Sequence, residues 1–287
     1  MTVPLPGGRT AQLREEHDFA FLGGIGTVFQ VFDRNDSGNI SFGLESPDGR
    51  RWFVKYAGAR TLRFDGDPQE AVDALRTASQ VYDDLRHPAL VRLVRHETVG
   101  RGYLAVFEWT PGECLHAYWD FDRIPKYTHP DSPTVRFRAL DPARKNAALD
   151  TVFEFHRHVA AAGYVAVDFY DGSVLYDFDT GRTTLCDIDY YRKAPAVNDR
   201  GRMPGSSRFL SPEETTLGAA LDEITNVYAM GAFAFEAYGD NHDRSLETWI
   251  GPAAAYRVAA RAVASRREDR YPSIGAFMRD WSAAFDV

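Results

Sequence analysis

Two acidic residues, Asp168 and Asp187, stand at the ends of a segment that has the pattern of a β-hairpin. Two strand-like runs, SVLYDFD and TTLCDID, flank a turn at Thr180-Gly181. Alternating apolar residues on both sides of a turn predict two antiparallel strands. Because a hairpin returns the chain to the edge at which it began, we expect the two carboxylates to lie face to face.

Composition and charge exclude several classes of protein. The 287 residues are 44% hydrophobic, which suits one large domain or two lobes that share a cleft. A net charge of −8 argues against a nucleic-acid partner. The two cysteines, Cys114 and Cys186, lack metal-site spacing, which favours a reducing cytoplasm. With no apolar run of about 18 residues and no apolar N-terminal segment, we expect neither a membrane span nor export.

Residues 1–109 predict a small antiparallel β lobe. Strand-like runs alternate with turn clusters from about residue 18 onward. One helical pattern, from Asp67 to Leu85, interrupts them and ends at His87-Pro88. This part of the chain therefore combines a sheet with a single helix.

Residues 110–287 predict a larger, mainly helical part. Asp141 and Pro142 suit the N-cap and first position of a helix that ends at Gly163. Before this helix lies a polar insert, residues 116–141, which either binds substrate or is a solvated loop packed by its own aromatic residues. The fold class predicted for the whole chain is α+β.

Lys55 is the one lysine in a strand-like run, and it follows Gly38 by 17 residues. This separation lets a hairpin tip at residues 33–39 fold over phosphates that a lysine on the third strand also approaches. Ser37 and Gly38 can present backbone N–H groups to phosphate oxygens. Two acids in the tip argue for a plain turn instead, and Lys55 has the alternative of being a surface lysine. Phe53 either stacks on adenine or belongs to the core.

Several motifs resemble, in order and spacing, those of the protein-kinase-like superfamily, and more closely those of the bacterial soluble serine/threonine kinases. YLAVFEWTPGECL is similar to the hinge, VDFYDGSVL to the catalytic loop, and CDID to the metal-binding DFG motif. GSSRFLSPE resembles the segment that closes the activation region, and REDRYPS resembles the late arginine motif. The resemblance implies a bilobal protein-kinase-like fold, with a small antiparallel β N-lobe and a larger, mainly helical C-lobe.

The resemblance also implies catalytic and metal-binding roles. Asp168 would orient the attacking hydroxyl, and Lys55 would hold the phosphates of ATP. Ser206 corresponds to a threonine that hydrogen-bonds the catalytic aspartate in serine/threonine-directed members. Asp187 and Ser173 would bind Mg²⁺.

Further residues are assigned to nucleotide binding and to architecture. The hinge match implies that the backbone from Glu108 to Thr110 pairs with adenine, next to a gatekeeper at Phe107. Glu213 and Arg270 would form a buried ion pair. Together with the tip and Phe53, the hinge completes the expected ATP site.

The chain also departs from the family at several positions. Tyr170 replaces the lysine that usually follows the catalytic aspartate, and Asn226 replaces a buried aspartate. The helix glutamate that should pair with the strand lysine falls at Ala78, which leaves Glu70 or Asp73 as candidates. If neither acid reaches the lysine, the lysine is held differently or the protein is a pseudokinase.

The sequence therefore predicts a cytoplasmic ATP- and Mg²⁺-dependent phosphotransferase that moves the γ-phosphoryl group to a serine or threonine hydroxyl of a protein. Two alternatives stay open. One is a small-molecule kinase of the antibiotic-modifying type, which has a different hydroxyl acceptor. The other is a pseudokinase that binds nucleotide without turnover.

Overall fold

The computed structural model describes residues 1–285. These residues form a mixed α+β protein with several small antiparallel sheets. They divide into two compact units. The first unit contains Met1–Arg86 and Val91–Thr110, and the second contains His87–Leu90 and the chain from Pro111 onward.

The first unit is built on a five-stranded antiparallel sheet with a helix packed against it. The elements are β1 (Thr2–Pro4), β2 (Thr10–Gln12), β3 (Thr27–Phe32), β4 (Asn39–Glu45), β5 (Arg51–Ala57), α1 (Pro68–Asp84), β6 (Leu93–Val99) and β7 (Gly102–Glu108). The strand order in the sheet is β3-β4-β5-β7-β6, and every neighbouring pair is antiparallel. The strand-like runs of the sequence are confirmed.

Helix α1 begins where the sequence predicts. The side chain of Asp67 accepts a hydrogen bond from the backbone N–H of Gln69, and Pro68 occupies the first turn. One face of the helix, which includes Val72, Leu75 and Tyr82, is buried. Burial of this face against β5 and β7 stabilises the helix.

A short hairpin of β1 and β2 at the N-terminus was not predicted. Val3 and Ala11 lie opposite one another in this hairpin, and both are buried. They join a core that also contains Leu13, Phe19 and Leu22. The strands have only three residues each, which is too short for a clear alternation of apolar and polar positions.

The second unit is mainly helical and also has small sheets. The elements are β8 (Glu113–Cys114), α2 (Pro133–Arg138), α3 (Pro142–Ala161), β9 (Tyr164–Val165), β10 (Val174–Tyr176), β11 (Thr183–Leu185), β12 (Arg192–Lys193), β13 (Ala196–Val197), β14 (Ala220–Leu221), α4 (Glu223–Tyr238), α5 (Ala253–Ala262) and α6 (Ile274–Ala283). The three-stranded sheet has the order β11-β10-β8. No helix within residues 1–285 has both the length and the apolar character needed to cross a bilayer.

Helix α4 is the centre of the second unit. It is buried continuously from Thr225 to Tyr238, and it contacts α3, α5 and α6. A helix that is apolar nearly all round must lie inside a protein. Gly231 allows α5 to approach closely, because a methyl group there would lie 2.7 Å from the Cβ atom of Ala262.

The predicted ion pair between Glu213 and Arg270 is confirmed. Two nitrogens of the Arg270 guanidinium donate to the Glu213 carboxylate, at 2.7 and 3.0 Å. Both side chains are buried. Arg267 and Thr225 also donate to the same carboxylate, at 2.7 and 3.0 Å. The pair fixes the segment around Glu213 to the C-terminal helices, because a bidentate charged contact allows little movement.

We expect Arg270→Met to lower the free energy of unfolding by about 3–5 kcal/mol, because the change leaves a buried carboxylate without its main partner. Urea denaturation measures this loss. Arg257→Met removes an exposed arginine from α5, and we expect it to change stability by less than about 0.5 kcal/mol. Equal stability of the two variants would contradict a structural role for the pair.

The neighbouring acid, Glu214, generates a prediction about pH. Its carboxylate accepts hydrogen bonds from the backbone N–H and hydroxyl of Ser211, both at 2.8 Å. Burial raises the pKa of Glu214 to about 7. The pKa of an unfolded glutamate is about 4.3. Between this pH and the folded pKa, Glu214 is therefore protonated in the folded protein and ionised in the unfolded chain. The contribution of Glu214 to stability therefore falls as the pH rises through this window.

Glu214→Gln removes this titration and keeps an oxygen acceptor for Ser211. We expect the stability of the variant relative to wild type to increase with pH, by at most about 1.4 kcal/mol per pH unit. Urea denaturation at about pH 5 and about pH 8 measures the difference. A difference that stays constant across this range would show that Glu214 titrates normally.

Candidate functional site

Asp168 and Asp187 share an unusual backbone conformation. Their φ angles are 67° and 55°, and they are the only residues other than glycine with positive φ within residues 1–285. This left-handed conformation is strained for residues with a side chain, at a cost of about 1–3 kcal/mol each. Strain of this kind persists where the surroundings fix the backbone, and it is concentrated at functional sites.

The predicted hairpin between the two acids is confirmed. Val174 in β10 pairs with Leu185 in β11, and Gly181 provides the positive φ of the turn. Beyond the paired strands, the backbone N–H of Cys186 donates to the carbonyl oxygen of Ser173 at 2.9 Å. Asp187 follows directly, so the register of the hairpin places it beside the segment that begins at Asp168.

The hydroxyl of Ser173 fits a role as a cation ligand. Ser173 is fully buried, and its Oγ atom has no hydrogen-bond partner. A buried polar atom without a partner is unfavourable, but Ser173 shares this state with other buried side chains, among them Thr183 and Thr184 of β11, so the observation agrees with a cation ligand without singling Ser173 out. Mg²⁺ prefers oxygen ligands and keeps several waters or phosphate oxygens. Within residues 1–285 no three His, Cys, Asp or Glu side chains are placed to hold a metal, so Asp187 and Ser173 would need such additional ligands.

Asn226 holds the backbone that leads to Asp168. Its Oδ1 atom accepts from the N–H of Ala166 at 2.7 Å, and its Nδ2 atom donates to the carbonyl of Tyr164 at 3.1 Å. The sequence predicts this acceptor at the position of the family's aspartate, and the contact confirms it. The neutral amide both donates and accepts, so it binds two backbone groups in and next to β9 without a buried charge.

A buried histidine supports the residue after Asp168. The ring of His156 packs 4.3 Å from the ring of Phe169. Its Nδ1–H group donates to the carbonyl of Val152 at 2.7 Å, which leaves Nε2 to accept from the Tyr191 hydroxyl at 2.8 Å. Burial lowers the pKa of His156 to about 4, so the ring is neutral and acts as a rigid spacer.

Gly205 lies against Asp168. A methyl group on Gly205 would lie 3.3 Å from Oδ1 of Asp168 and 3.4 Å from its Cα atom. The φ angle of Gly205 is 129°, which suits glycine. The carbonyl of Ser206 accepts from the N–H groups of Phe209 and Leu210. The segment that starts at Gly205 therefore contacts the candidate catalytic acid, while the bond predicted for the Ser206 hydroxyl stays a prediction.

The ring of Tyr170 packs over the backbone of Gly172. A side chain on Gly172 would overlap the Tyr170 ring, and the ring of His116 meets it edge-on at 5.5 Å. Burial and then the charges of Asp187 and Asp168 raise the pKa of Tyr170 well above its usual value. The phenol therefore stays protonated, and it presents a neutral donor where the family has a charged lysine.

Four buried charges surround the loop that carries Asp168, and sequence reasoning missed them. We call Lys126, Asp171, Arg208 and Glu236 the charge quartet. Arg208 donates to Asp171 at 2.8 Å and to Glu236 at 2.6 Å. Lys126 binds Asp171, and it donates to Glu236 at 3.0 Å. Each acid thus has two cations, and each cation has two acids.

The charge quartet joins four distant parts of the chain. Burial opposes the charged form of Asp171, but His116, Lys126 and Arg208 outweigh this effect and hold its pKa below the usual value. Two sequence signals were available. Glu236 is the one charged residue in the apolar run AMGAFAFEAY, and lysine occurs only four times in the chain. A lone charge in a buried helix needs a partner.

The insert at residues 116–141 is more ordered than either interpretation of the sequence implies. It contains a short 3₁₀ helix, Tyr118–Asp120, and helix α2. Lys126 anchors it in the charge quartet, and Arg136 pairs with Glu113 at 2.7 Å. The insert is packed by its own aromatic rings, as in the contact of Tyr118 with Trp119, and also by these two ion pairs, while a role in substrate binding stays a prediction.

The first unit contains the residues predicted for nucleotide binding. Lys55 lies in β5 between Ser41 of β4 and Ala105 of β7. It is only 9% exposed, so the alternative of a surface lysine is wrong. Its role toward phosphate stays a prediction. Glu70 and Asp73 are exposed on α1, whereas the position of the family's glutamate, Ala78, is buried.

The hairpin tip at residues 33–39 packs against helix α1. Gly38 has a φ angle of 80°, and a methyl group there would lie 2.7 Å from the Cβ atom of Ala71. The hydroxyl of Ser37 accepts from the N–H of Asn39 at 3.5 Å. Asp33 accepts from the N–H of Gln12 at 2.8 Å. One of the two acids that argued against phosphate is thus engaged by the N-terminal hairpin.

Two of the residues predicted to contact adenine, Phe53 and Glu108, also contact other residues of the first unit. Phe53 is half-buried, and its ring lies 5.8 Å from that of Phe32 and 6.3 Å from that of Phe107. The N–H of Glu108 donates to the carbonyl of Arg92 at 3.0 Å, and Arg92 also pairs with its carboxylate. Thr110 follows β7 and is partly buried. Both interpretations of Phe53 stay open.

The charge quartet predicts a strong response to removal of one charge. We expect Lys126→Met to lower the free energy of unfolding by about 3–5 kcal/mol, because two buried acids then share one cation. Lys193→Met changes an exposed lysine whose amine lies 5.8 Å from the centre of the Tyr164 ring, so we expect a loss of at most about 1 kcal/mol. Urea denaturation compares the two.

The double variant Lys126→Met, Glu236→Met removes one charge of each sign and leaves Arg208 paired with Asp171. Its loss of stability should be smaller than the sum of the two single losses by at least about 1 kcal/mol. Additive losses would show that Lys126 and Glu236 do not act as partners.

Comparisons with known family models and curated proteins give no match from which a role could be assigned. No protein-family model matches the sequence. No curated protein matches it either. The roles considered next are therefore supported by the motifs and by the geometry around Asp168 and Asp187.

Proposed function

We propose that the chain is an ATP- and Mg²⁺-dependent phosphotransferase that moves the γ-phosphoryl group to a serine or threonine hydroxyl of a protein. One observation carries this proposal. The two acids that the kinase-like motifs assign to the nucleophile and to the metal are, within residues 1–285, the two residues other than glycine that have the left-handed conformation. Strained backbone at both assigned positions, on either side of one hairpin, is the pattern of a functional site.

Asp168 would orient the acceptor hydroxyl and take its proton. Phosphoryl transfer needs positioning more than covalent chemistry, because its transition state is loose. The contacts of Asn226, His156 and Gly205 restrict the backbone around Asp168. A carboxylate held in this way loses little entropy when the acceptor binds.

Asp187 and Ser173 would hold Mg²⁺, which neutralises phosphate charge when it is bound. Ser173 supports this role, since its buried hydroxyl would gain the partner that it otherwise lacks. Lys55 would hold the phosphates as a point charge. Tyr170 adds a neutral donor in place of a second cation, so we infer a slower reaction than in kinases with the usual lysine.

A nucleotide-binding pseudokinase is the second candidate. The exposed positions of Glu70 and Asp73 on α1 favour it, because a lysine that holds phosphates is normally aligned by a helix glutamate. Under this alternative, ATP and Mg²⁺ stabilise the protein but no ADP is released. Measuring thermal stabilisation by ATP and Mg²⁺ together with the release of ADP therefore separates the two candidates.

We expect Asp168→Asn to lower the rate of transfer from radiolabelled ATP to a mixed protein substrate by about 10²–10⁴-fold, since it removes the proton acceptor. Thermal stabilisation by ATP and Mg²⁺ should persist in this variant and should be lost in Asp187→Asn. Asp179→Asn, at the exposed turn of the hairpin, is the matched control with unchanged transfer. Undiminished transfer by the Asp168 variant would refute the assignment.

A further inference from the structure

A basic segment lies beside the candidate catalytic acid. Between residues 192 and 202 the chain has four cations and one acid, although its overall charge is −8. The cations are Arg192, Lys193, Arg200 and Arg202. Such a local excess of positive charge attracts anionic groups.

Strand pairing at one end and a side-chain hydrogen bond at the other hold the basic segment near Asp168. In β12, Arg192 pairs with Val165 of β9, three residues before Asp168. At the other end, the Arg202 guanidinium donates to the carbonyl of Gly205 at 3.2 Å. Gly205 is the residue that contacts Asp168. The two ends of the segment therefore adjoin the place where an acceptor hydroxyl would react.

The segment is also held in its middle, so its arginines are carried on fixed backbone. Ala196 of β13 pairs with Leu221 of β14. The N–H of Met203 donates to the carbonyl of Glu214 at 2.8 Å, and the Met203 side chain is buried. Fixed charges recognise a partner at a lower entropic cost than charges on a mobile loop.

Two of the cations are available to a partner. Asp199, the one acid of the segment, pairs with Arg192 at 3.0 Å. Arg200 and Arg202 are exposed, and in the described part of the chain neither has a carboxylate within ion-pair distance. Asp199 also attracts its sequence neighbour Arg200, but one acid does not neutralise the four cations of the segment.

Two acids near the loop of Asp168, Asp171 and Glu236, are not available to a cationic acceptor. Asp171 follows Asp168 by three residues, but it is fully buried and bound by Lys126 and Arg208. Glu236 is bound by the same two cations. A basic peptide or an aminoglycoside would have to break this charge quartet, at the cost of leaving buried charges without partners.

We propose that the acceptor serine or threonine lies in an acidic stretch of a polypeptide, whose carboxylates are bound by Arg200 and Arg202. This proposal rests on the phosphotransferase function and specifies its substrate class. Arginine suits the task because its planar guanidinium can bind a carboxylate through two parallel hydrogen bonds. The charges select among acceptors more than they add affinity.

Binding is tested with three fluorescein-labelled serine peptides of equal length, with acidic, neutral or arginine-rich flanks. Fluorescence anisotropy at low ionic strength gives each dissociation constant, and transfer from radiolabelled ATP gives the rates. We expect the acidic peptide to bind about tenfold more tightly than the neutral one. The double variant Arg200→Gln, Arg202→Gln should reduce this ratio to about twofold or less.

Two controls keep the test sharp. Arg257→Gln removes an exposed arginine of the same unit on α5 and should leave the ratio unchanged. Because Arg202 also bonds the backbone, the single variant Arg200→Gln is measured as well, and about a threefold loss in the ratio is expected.

Equal or weaker binding of the acidic peptide, or a ratio that the Arg200 and Arg202 variants leave intact, would overturn the acidic acceptor. A failure of the proposed function looks different. In that case the acidic peptide still binds preferentially, but no variant and no wild-type protein transfers phosphate to any of the peptides.

Discussion

The polar side chains buried along helix α4 fix the loops of the second unit. Thr225 donates to Glu213, Asn226 binds the backbone on the way to Asp168, and Glu236 closes the charge quartet. Asn226 and Glu236 are ten residues apart, which corresponds to about 15 Å along a helix. Helix α4 therefore sets the positions of three loops that lie in different parts of the sequence.

This arrangement explains how two strained acids can persist. A left-handed backbone at Asp168 and Asp187 is unfavourable by itself, and only contacts on both sides can hold it. Asn226 fixes the chain before Asp168, His156 supports the residue after it, and the hairpin register fixes Asp187. The stability of the helical core is in this sense used to maintain a local conformation that the chain would otherwise leave.

The sequence predicts features that local chemistry or a motif determines. The cap at Asp141 is confirmed by its bond to the N–H of Arg144 at 2.9 Å, because capping involves only neighbouring residues. The Glu213–Arg270 pair could be found only through the resemblance to a family. The hairpin of residues 2–12 was missed, since its short strands have no period to detect.

The charge quartet could not be predicted because its members are brought together only by the fold. Lys126 and Glu236 are separated by 110 residues, and no local pattern links them. A lone glutamate in an apolar run is a signal that Glu236 needs a partner, but this signal was overlooked and would not identify the cation. Likewise, Gly205 looks like an ordinary glycine of a loop until its contact with Asp168 is known.

The contrast between Asn226 and the charge quartet shows two ways to hold a loop from one helix. The amide of Asn226 satisfies a donor and an acceptor of the backbone without any charge, so it needs no further partner. Glu236 needs two cations, and those cations need a second acid, Asp171. Burying a carboxylate thus recruits Lys126 from the insert and Arg208 from the segment after Gly205. The insert, the loop of Asp168 and that segment become interdependent, because removing any one charge leaves the others uncompensated.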